Sequence, residues 1–302
     1  MLRAALRTWF EARGRSLAFR QQAEPWGVLV SEVMAQQTQI SRVEVAWVAF
    51  MALFPTPAVL AEASTAAVLR AWAGMGYNRR ALNLKRAAAT IVDRHGGVVP
   101  RTIADLEALP GIGPYTARAV AAIAFGAPVA AVDTNVRRVV GRVVAGHGVP
   151  ADPGVPLPPR VLQAIADTIV DPLDPAAWTH AVMDLGATLC RPSNPRCDSC
   201  PLAAWCAWRA AADRAGTQTA VDGPAGRPQP RRPANPVFPS TQRWLRGRIV
   251  AAARGLPDDA WLTIGGPIGQ HDVSTVAAAV SDLVREGMLE SRPDGAVRLP
   301  ST

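Results

Sequence analysis

The sequence predicts an all-helical protein, and three observations carry that prediction. Apolar residues recur at three- and four-residue spacing in 27–53, 64–73, 79–95, 116–125 and 159–170. Short Gly/Pro punctuation separates these runs, and no segment alternates polar and apolar residues long enough to demand a sheet. The chain's only four cysteines, Cys190, Cys197, Cys200 and Cys206, are packed as C-x6-C-x2-C-x5-C into seventeen residues. Such a loop gathers thiols for a metal group or for disulfide pairing and adds no strand pattern.

Taken in order, residues 1–212 read as helical throughout. Within them, Leu109–Pro110–Gly111–Ile112–Gly113–Pro114–Tyr115–Thr116 lies between two helices. The first is capped by Thr102 with Asp105 three residues on, and the second begins near Tyr115 and runs through Phe125. Gly111 and Gly113 permit a tight turn whose backbone N–H groups face outward at a helix N-terminus, where the dipole favours an anion. That is a helix-hairpin-helix, suited to gripping a DNA phosphate without reading sequence; an ordinary αα-hairpin is the plainer alternative. Eighteen residues after Tyr115 stands Asp133, flanked by apolar residues and followed by Arg137 and Arg138. Taken alone it reads as a helix N-cap with a salt bridge.

Residues 213–239 change character, with six prolines after position 223 and almost no large apolar side chains. This reads as a linker. Beyond it, a basic amphipathic helix is expected over about 241–254 and a second over about 272–287. Met288–Glu290, the turn Ser291–Gly295 and Ala296–Leu299 then form a short hairpin. The order resembles a small winged helix spanning 240–302.

The chain has 302 residues, of which 49% are apolar, with no run long enough to cross a membrane. Its formal charge is +8 with pI near 10.5, which points to a polyanionic partner such as nucleic acid. Lys85 is the only lysine, and the arginine bias also fits a GC-rich genome. Residues 240–302 hold seven arginines against seven acids. That neutral piece is a poor stand-alone DNA binder and a candidate for docking a protein partner. A disulfide pairing of the cysteines needs an oxidising compartment, and MLRAALRTWFEARGR has no long apolar core followed by a cleavage site. Metal is the better reading. Only the middle two cysteines are close, which favours a [4Fe–4S] cubane over zinc.

Hairpin, then Asp133, then a four-cysteine loop resembles the endonuclease III superfamily of DNA glycosylases. Within it the chain is similar to the MutY-type adenine glycosylases. The residues that carry this are Val30–Ser31–Glu32–Val33–Met34–Ala35–Gln36–Gln37–Thr38–Gln39, Gly74–Met75–Gly76–Tyr77, Leu109–Thr116, Val132–Asp133–Thr134–Asn135, Met183–Asp184–Leu185–Gly186–Ala187 and the cysteines, over about residues 5–210. The resemblance implies a two-lobed helix-hairpin-helix glycosylase fold over 1–212. One lobe would be 22–130, and the cluster lobe 1–21 with 131–212.

It further implies that Asp133 stabilises positive charge at the anomeric carbon of a flipped nucleotide. Tyr115 and Asn135 would orient Asp133, and Glu32 would protonate adenine N7. Apolar neighbours of Glu32 are expected to hold its proton near neutrality. Tyr115 stands where strand-cleaving relatives carry a lysine, so the enzyme is expected to be monofunctional. Gln37 and Tyr77 would wedge into the duplex, with Thr38 against the opposing 8-oxoguanine. Phe19, Arg20 and Asp184 would wall the base pocket, although the usual pattern there is Pro-Trp-Arg, and a glutamate usually stands in place of Asp184. Arg191, Arg196 and Arg209 would face the DNA backbone from a structural cluster loop. Typical members end in a Nudix-like reader domain of over a hundred residues that 240–302 do not match.

The expected function is therefore excision of adenine opposite 8-oxoguanine or guanine by a monomer in the bacterial cytoplasm, at the nucleoid. The competing readings are a glycosylase for thymine opposite guanine and a non-catalytic, cluster-containing DNA-binding protein.

Overall fold

A computed structural model describes residues 1–21, 23–146, 157–214 and 237–301. Fourteen α-helices occur among them: α1 (Leu2–Arg13), α2 (Pro25–Ala35), α3 (Ile40–Leu53), α4 (Pro57–Glu62), α5 (Thr65–Ala71), α6 (Arg79–His95), α7 (Ile103–Glu107), α8 (Pro114–Phe125), α9 (Thr134–Ala145), α10 (Pro159–Ile169), α11 (Pro175–Thr188), α12 (Ala207–Arg214), α13 (Gln242–Arg254) and α14 (Val273–Arg285). One hairpin, β1 (Glu290–Ser291) with β2 (Val297–Arg298), completes the described chain. The helical fold class expected from periodicity holds. Residues 215–236 of the expected linker lie outside the described residues.

Local chemistry sets the boundaries. Thr56, Ser64, Asp133, Asp174, Thr241 and Asp272 each accept a backbone N–H in the first turn of the helix that follows. Proline opens α4, α8, α10 and α11, where its missing N–H costs nothing. The apolar run 27–53 is not one helix. It breaks at Gln36–Gln39, where Gln37 adopts φ +53°, because four successive polar residues interrupt the buried stripe there.

Two compact units make up the described chain. The first comprises the described residues of 1–28, 101–107 and 112–214. In it α11 packs on α1, α8 and α9, and α9 also packs on α10 and α12. Its core holds Leu6, Val136, Val139, Val140, Leu162, Trp178, Val182 and Leu185, with Cys190, Cys200 and Cys206 packed against it. Each such buried aliphatic side chain stabilises the unit by about 1.5–3 kcal/mol.

The second unit comprises 29–100, 108–111 and 237–301. There α6 packs on α4 and α5, and α13 packs on both α14 and α5. Leu245, Ile249, Val276, Leu283 and Val297 are buried. The hairpin pairs only Glu290 with Arg298 and Ser291 with Val297, shorter than expected, and Leu262 bridges to Val297. The segment beyond 237 is tied to 29–100 by named bonds. Ala66 N–H donates to the Pro300 carbonyl at 2.9 Å, Arg254 to Asn78 at 2.6 Å, and Arg70 pairs with Asp258. Glu286 receives Arg79 at 2.5 Å and Arg246 at 2.6 Å.

Candidate active site

The half-buried Asp133 is the N-cap of α9. One carboxylate oxygen accepts the Val136 N–H at 2.7 Å and the other accepts the Asn135 amide at 3.1 Å. Asn135 is fixed in turn: its amide oxygen accepts Arg138 at 2.8 Å, and the same guanidinium nitrogen donates to the Gly186 carbonyl at 2.7 Å. A Cβ on Gly186 would lie 2.7 Å from the Asn135 Cβ, so α11 approaches the start of α9 this closely only because Gly186 has none. The N-cap half of the plain reading of Asp133 is thus true as structure, while no ion pair to Asp133 occurs among the described residues. It leaves the carboxylate held in one orientation by two donors. Tyr115, in the first turn of α8, donates its hydroxyl toward the Met183 sulfur at 3.9 Å. Lys85 lies on α6.

Glu32 lies in a helix buried on every side. Trp26, Val28, Leu29, Val30, Val33 and Met34 are each at most 3% exposed, and Glu32 itself is 8% exposed. A solvated helix carboxylate is therefore excluded.

Gln37 and Tyr77 share a backbone feature that their sequence contexts do not announce. Both sit at positive φ, +53° and +47°, where a bulky L-residue is strained. Gly74 and Gly76, at φ +79° and +66°, complete the Tyr77 turn. Arg80 holds both loops. Its guanidinium donates to the carbonyls of Val33, Met34, Gln36, Met75 and Gly76 and to the Thr38 hydroxyl, at 2.6–3.2 Å. It also lies between the Trp72 and Tyr77 rings. Burial lowers the Arg80 pKa to about 10, which leaves it cationic at neutral pH. Sequence reading missed this residue, because a lone arginine at the start of a helix carries no motif.

The two glycines of the hairpin differ in their reasons. Gly111 has φ +79° and would place a Cβ 2.7 Å from Asn83. Gly113 has φ −98° and is the N-cap of α8, with nothing within 4 Å of its Cβ position. The Thr102–Asp105 cap is present at 3.1 Å.

Phe19 is buried at 8% exposure. Asp184 is 1% exposed, and both its oxygens are occupied, by Arg15 at 2.6–2.8 Å and by Arg20 at 2.9–3.0 Å. These hydrogen bonds hold the Asp184 carboxyl below the usual carboxylate range against the opposing cost of its burial. Arg15 is the member that sequence reading missed. His180 stacks on Phe10, and burial beside the Arg20 and Arg15 cations pushes its pKa down to about 3.

The four cysteines line one pocket with Val143, Leu185, Leu189 and Trp208. Among the described residues no three metal-type ligands close into a single-ion shell. Desolvation raises the thiol pKa values of Cys197, Cys200 and Cys206, that of Cys200 to about 11, and neighbouring cysteines raise each further. Arg142 donates to the Cys190 sulfur at 3.6 Å, and Arg209 pairs with Asp198 at 2.9 Å.

Comparison with known proteins decides the family. The model for the HhH-GPD superfamily of base excision DNA repair proteins matches residues 30–154. An adenine DNA glycosylase of Mycobacterium tuberculosis is 39% identical over 304 residues, covering 98% of this chain and 92% of that one. One from Mycolicibacterium smegmatis is 38% identical, covering 96% and 93%. The chain belongs to the adenine DNA glycosylase family. The human adenine DNA glycosylase is 41% identical over 213 residues, covering 68% of this chain and 38% of the human one. Among solved structures, a thermostable thymine-DNA glycosylase matches with TM-score 0.62 at 25% identity, over 69% of this chain and 95% of that one. A non-covalent endonuclease III–DNA complex matches with TM-score 0.58 at 23% identity, which bears on the fold. In this glycosylase family member, the 98% coverage by the mycobacterial relative brings the segment after the proline-rich stretch into the likeness. No described helix is long and apolar enough to cross a membrane.

Proposed function

We propose that this chain hydrolyses the N-glycosidic bond of adenine in duplex DNA, in base excision repair, where adenine is mispaired with 8-oxoguanine or guanine. The observation that carries the proposal is that a member of this family holds both a buried acid, Glu32, and a carboxylate oriented by two donors, Asp133. Adenine leaves poorly as an anion. Glu32, protonated in its apolar helix, gives its proton to N7 as the C1′–N9 bond breaks and the bonding electrons pass to the base. Asp133 offsets the positive charge developing at C1′; water then adds its oxygen there and gives up one proton, which restores the carboxyl that protonated the base. Asn135 keeps the carboxylate aimed. With tyrosine at position 115 no amine attacks C1′, so strand cleavage does not follow.

Asp184, saturated by two guanidinium groups, acts on the base pocket by holding Arg20 in place beside Phe19. Gln37 and Tyr77 enter the duplex from positive-φ positions that Arg80 holds in place, and Thr38 lies beside them. Gly111 is explained by its turn. Gly113 is not, and an approaching phosphate is what its missing Cβ accommodates.

Cys190, Cys197, Cys200 and Cys206 fit a [4Fe–4S] cluster. The four thiols line one apolar pocket, and burial together with neighbouring cysteines raises the pKa values of Cys197, Cys200 and Cys206, a cost that a cationic iron core relieves. A cubane also spreads its thiolates more widely than one zinc ion at about 2.3 Å per sulfur does. The cluster holds its loop in shape. The protein acts as a monomer at the bacterial nucleoid.

The test is single-turnover base release from duplexes holding A opposite 8-oxoguanine, A opposite G, and T opposite G. Adenine release, lost in Glu32→Gln, is expected. Thymine release alone would replace this reading with the thymine-removing activity suggested by the structural neighbour, and release of neither base would leave a DNA-binding protein.

A further inference from the structure

The sequence-level net charge of 240–302 conceals how that charge is arranged. All four basic residues of α13 are arginines, Arg243, Arg246, Arg248 and Arg254, and the helix contains no acid. The seven acids of the segment lie outside α13, so its neutrality averages over a helix that is wholly basic.

Within the second unit, α13 forms one wall of an open cleft of about 980 Å³ whose other wall holds Gln37 and Tyr77. Six arginines line that cleft, against a single carboxylate, Glu286, which already pairs with Arg79 and Arg246. Arg80 is taken up by backbone carbonyls. Arg42, Arg243 and Arg248 have no carboxylate partner among the described residues. Arg243 lies 3.7 Å from the centre of the Tyr77 ring and donates to its hydroxyl at 2.5 Å, so the helix is in direct contact with the proposed wedge. Phe238, 55% exposed, lies beside Arg243 in the same cleft. Guanidinium groups without a carboxylate partner next to an exposed aromatic ring are the chemistry that follows a nucleic-acid backbone.

We propose that this cleft binds the sugar–phosphate backbone of the target duplex where the strand passes the Gln37–Tyr77 loops, with Arg243 and Arg248 as phosphate ligands. The segment after the proline-rich stretch is then part of the DNA-binding surface and not a protein-docking appendage. This rests on the reading of the chain as a DNA glycosylase. When DNA is absent, Arg243 covers the Tyr77 ring; when a phosphate arrives, the guanidinium exchanges the phenol oxygen for an anionic one, freeing that face for a base.

The test compares Arg243→Gln/Arg248→Gln with Arg285→Gln, an α14 arginine outside the cleft lining that pairs with Asp282 at 2.7 Å. Affinity for a duplex containing A opposite G is measured by anisotropy across a salt series. Two lost phosphate contacts reduce the slope of log affinity against log salt by about 1.8 and weaken binding roughly tenfold or more near 0.1 M salt. Arg285→Gln keeps the wild-type slope. Arg248→Gln alone, at an exposed position, covers the case in which the double variant does not fold, and its slope falls by about 0.9. Variants that fold and keep the wild-type slope overturn the proposal. Adenine release by the wild type is read separately. Release with unchanged slopes sinks only this inference, whereas reduced slopes without release sink only the assignment of activity.

Discussion

Asp133 is asked to do two jobs, and one substitution separates them. Asparagine caps a helix about as well as aspartate, so Asp133→Asn should keep α9 and the Val136 bond while removing the negative charge. Base release under single-turnover conditions should fall by at least about 3 kcal/mol, a factor of roughly a hundred or more. Duplex affinity by anisotropy should stay within about twofold. Wild-type turnover in this variant would remove Asp133 from the mechanism. His180 makes a different prediction. Its pKa falls from 6.5 to about 3 on folding, so as pH drops the unfolded chain takes up the proton first. Stability contributed by keeping this ring neutral is present above about pH 6.5 and is lost progressively below it, by up to about 1.4 kcal/mol per pH unit. The depressed carboxyls Asp171 and Asp184 work in a lower window, losing their contribution only as pH falls through their folded values below the carboxylate range. Urea midpoints between about pH 6.5 and about pH 4.5 should therefore flatten in His180→Gln. An equally steep profile in that variant would place the proton uptake elsewhere.

Arg80 shows how one side chain can organise several elements. The C-terminal carbonyls of α2, the Gln36–Thr38 turn and the Met75–Gly76 turn all converge on it. No carboxylate is involved, so its charge is dispersed over carbonyl dipoles and the faces of two aromatic rings. Arg80→Met should cost about 2–4 kcal/mol, since it leaves several half-buried acceptors without donors. Arg80→Lys should recover little of this, because a point ammonium cannot reproduce a planar fork. Urea denaturation gives the stability, and the salt-dependent duplex affinity shows whether the Gln37 and Tyr77 loops have lost their shape. Full stability in Arg80→Lys would mean that charge alone, not geometry, holds the two turns. The break between α2 and α3 belongs here as well. Periodicity reads straight through 27–53, because it registers apolar spacing and is blind to a backbone turn made by four polar residues.

For the molecule as a whole, the second unit is completed by its distant C-terminal partner. Residues 29–100 and 237–301 share the Ala66–Pro300 backbone bond, the Arg70–Asp258 pair, the Arg254–Asn78 bond and the packing of α13 on α5. A chain ending at Arg214 should therefore lose at least about 2 kcal/mol, with Tm lower by about 4–8 °C in calorimetry. It should bind duplex DNA more weakly than the full chain while still releasing adenine at saturating enzyme, since Glu32 and Asp133 remain. An unchanged Tm would mean that 237–301 contributes nothing to the unit it packs in.

The residues proposed to do the chemistry were legible along the chain because the chemistry proposed for them is local. A tight glycine turn before a helix, an acid in an apolar helix, a carboxylate at a cap and four thiols lining one pocket each require particular residue types at short spacing. Family resemblance then supplied the roles that spacing leaves open. What the amino-acid order did not reveal were pairings across long separations. Arg15 finds Asp184 at a separation of 169 residues, Arg80 finds the Val33 carbonyl at 47, and Arg243 finds Tyr77 at 166. The same holds for the charge of 240–302, which sums to zero along the chain. Only folding brings three of its arginines, Arg243, Arg246 and Arg248, into one cleft, because packing decides which residues of α13 meet it.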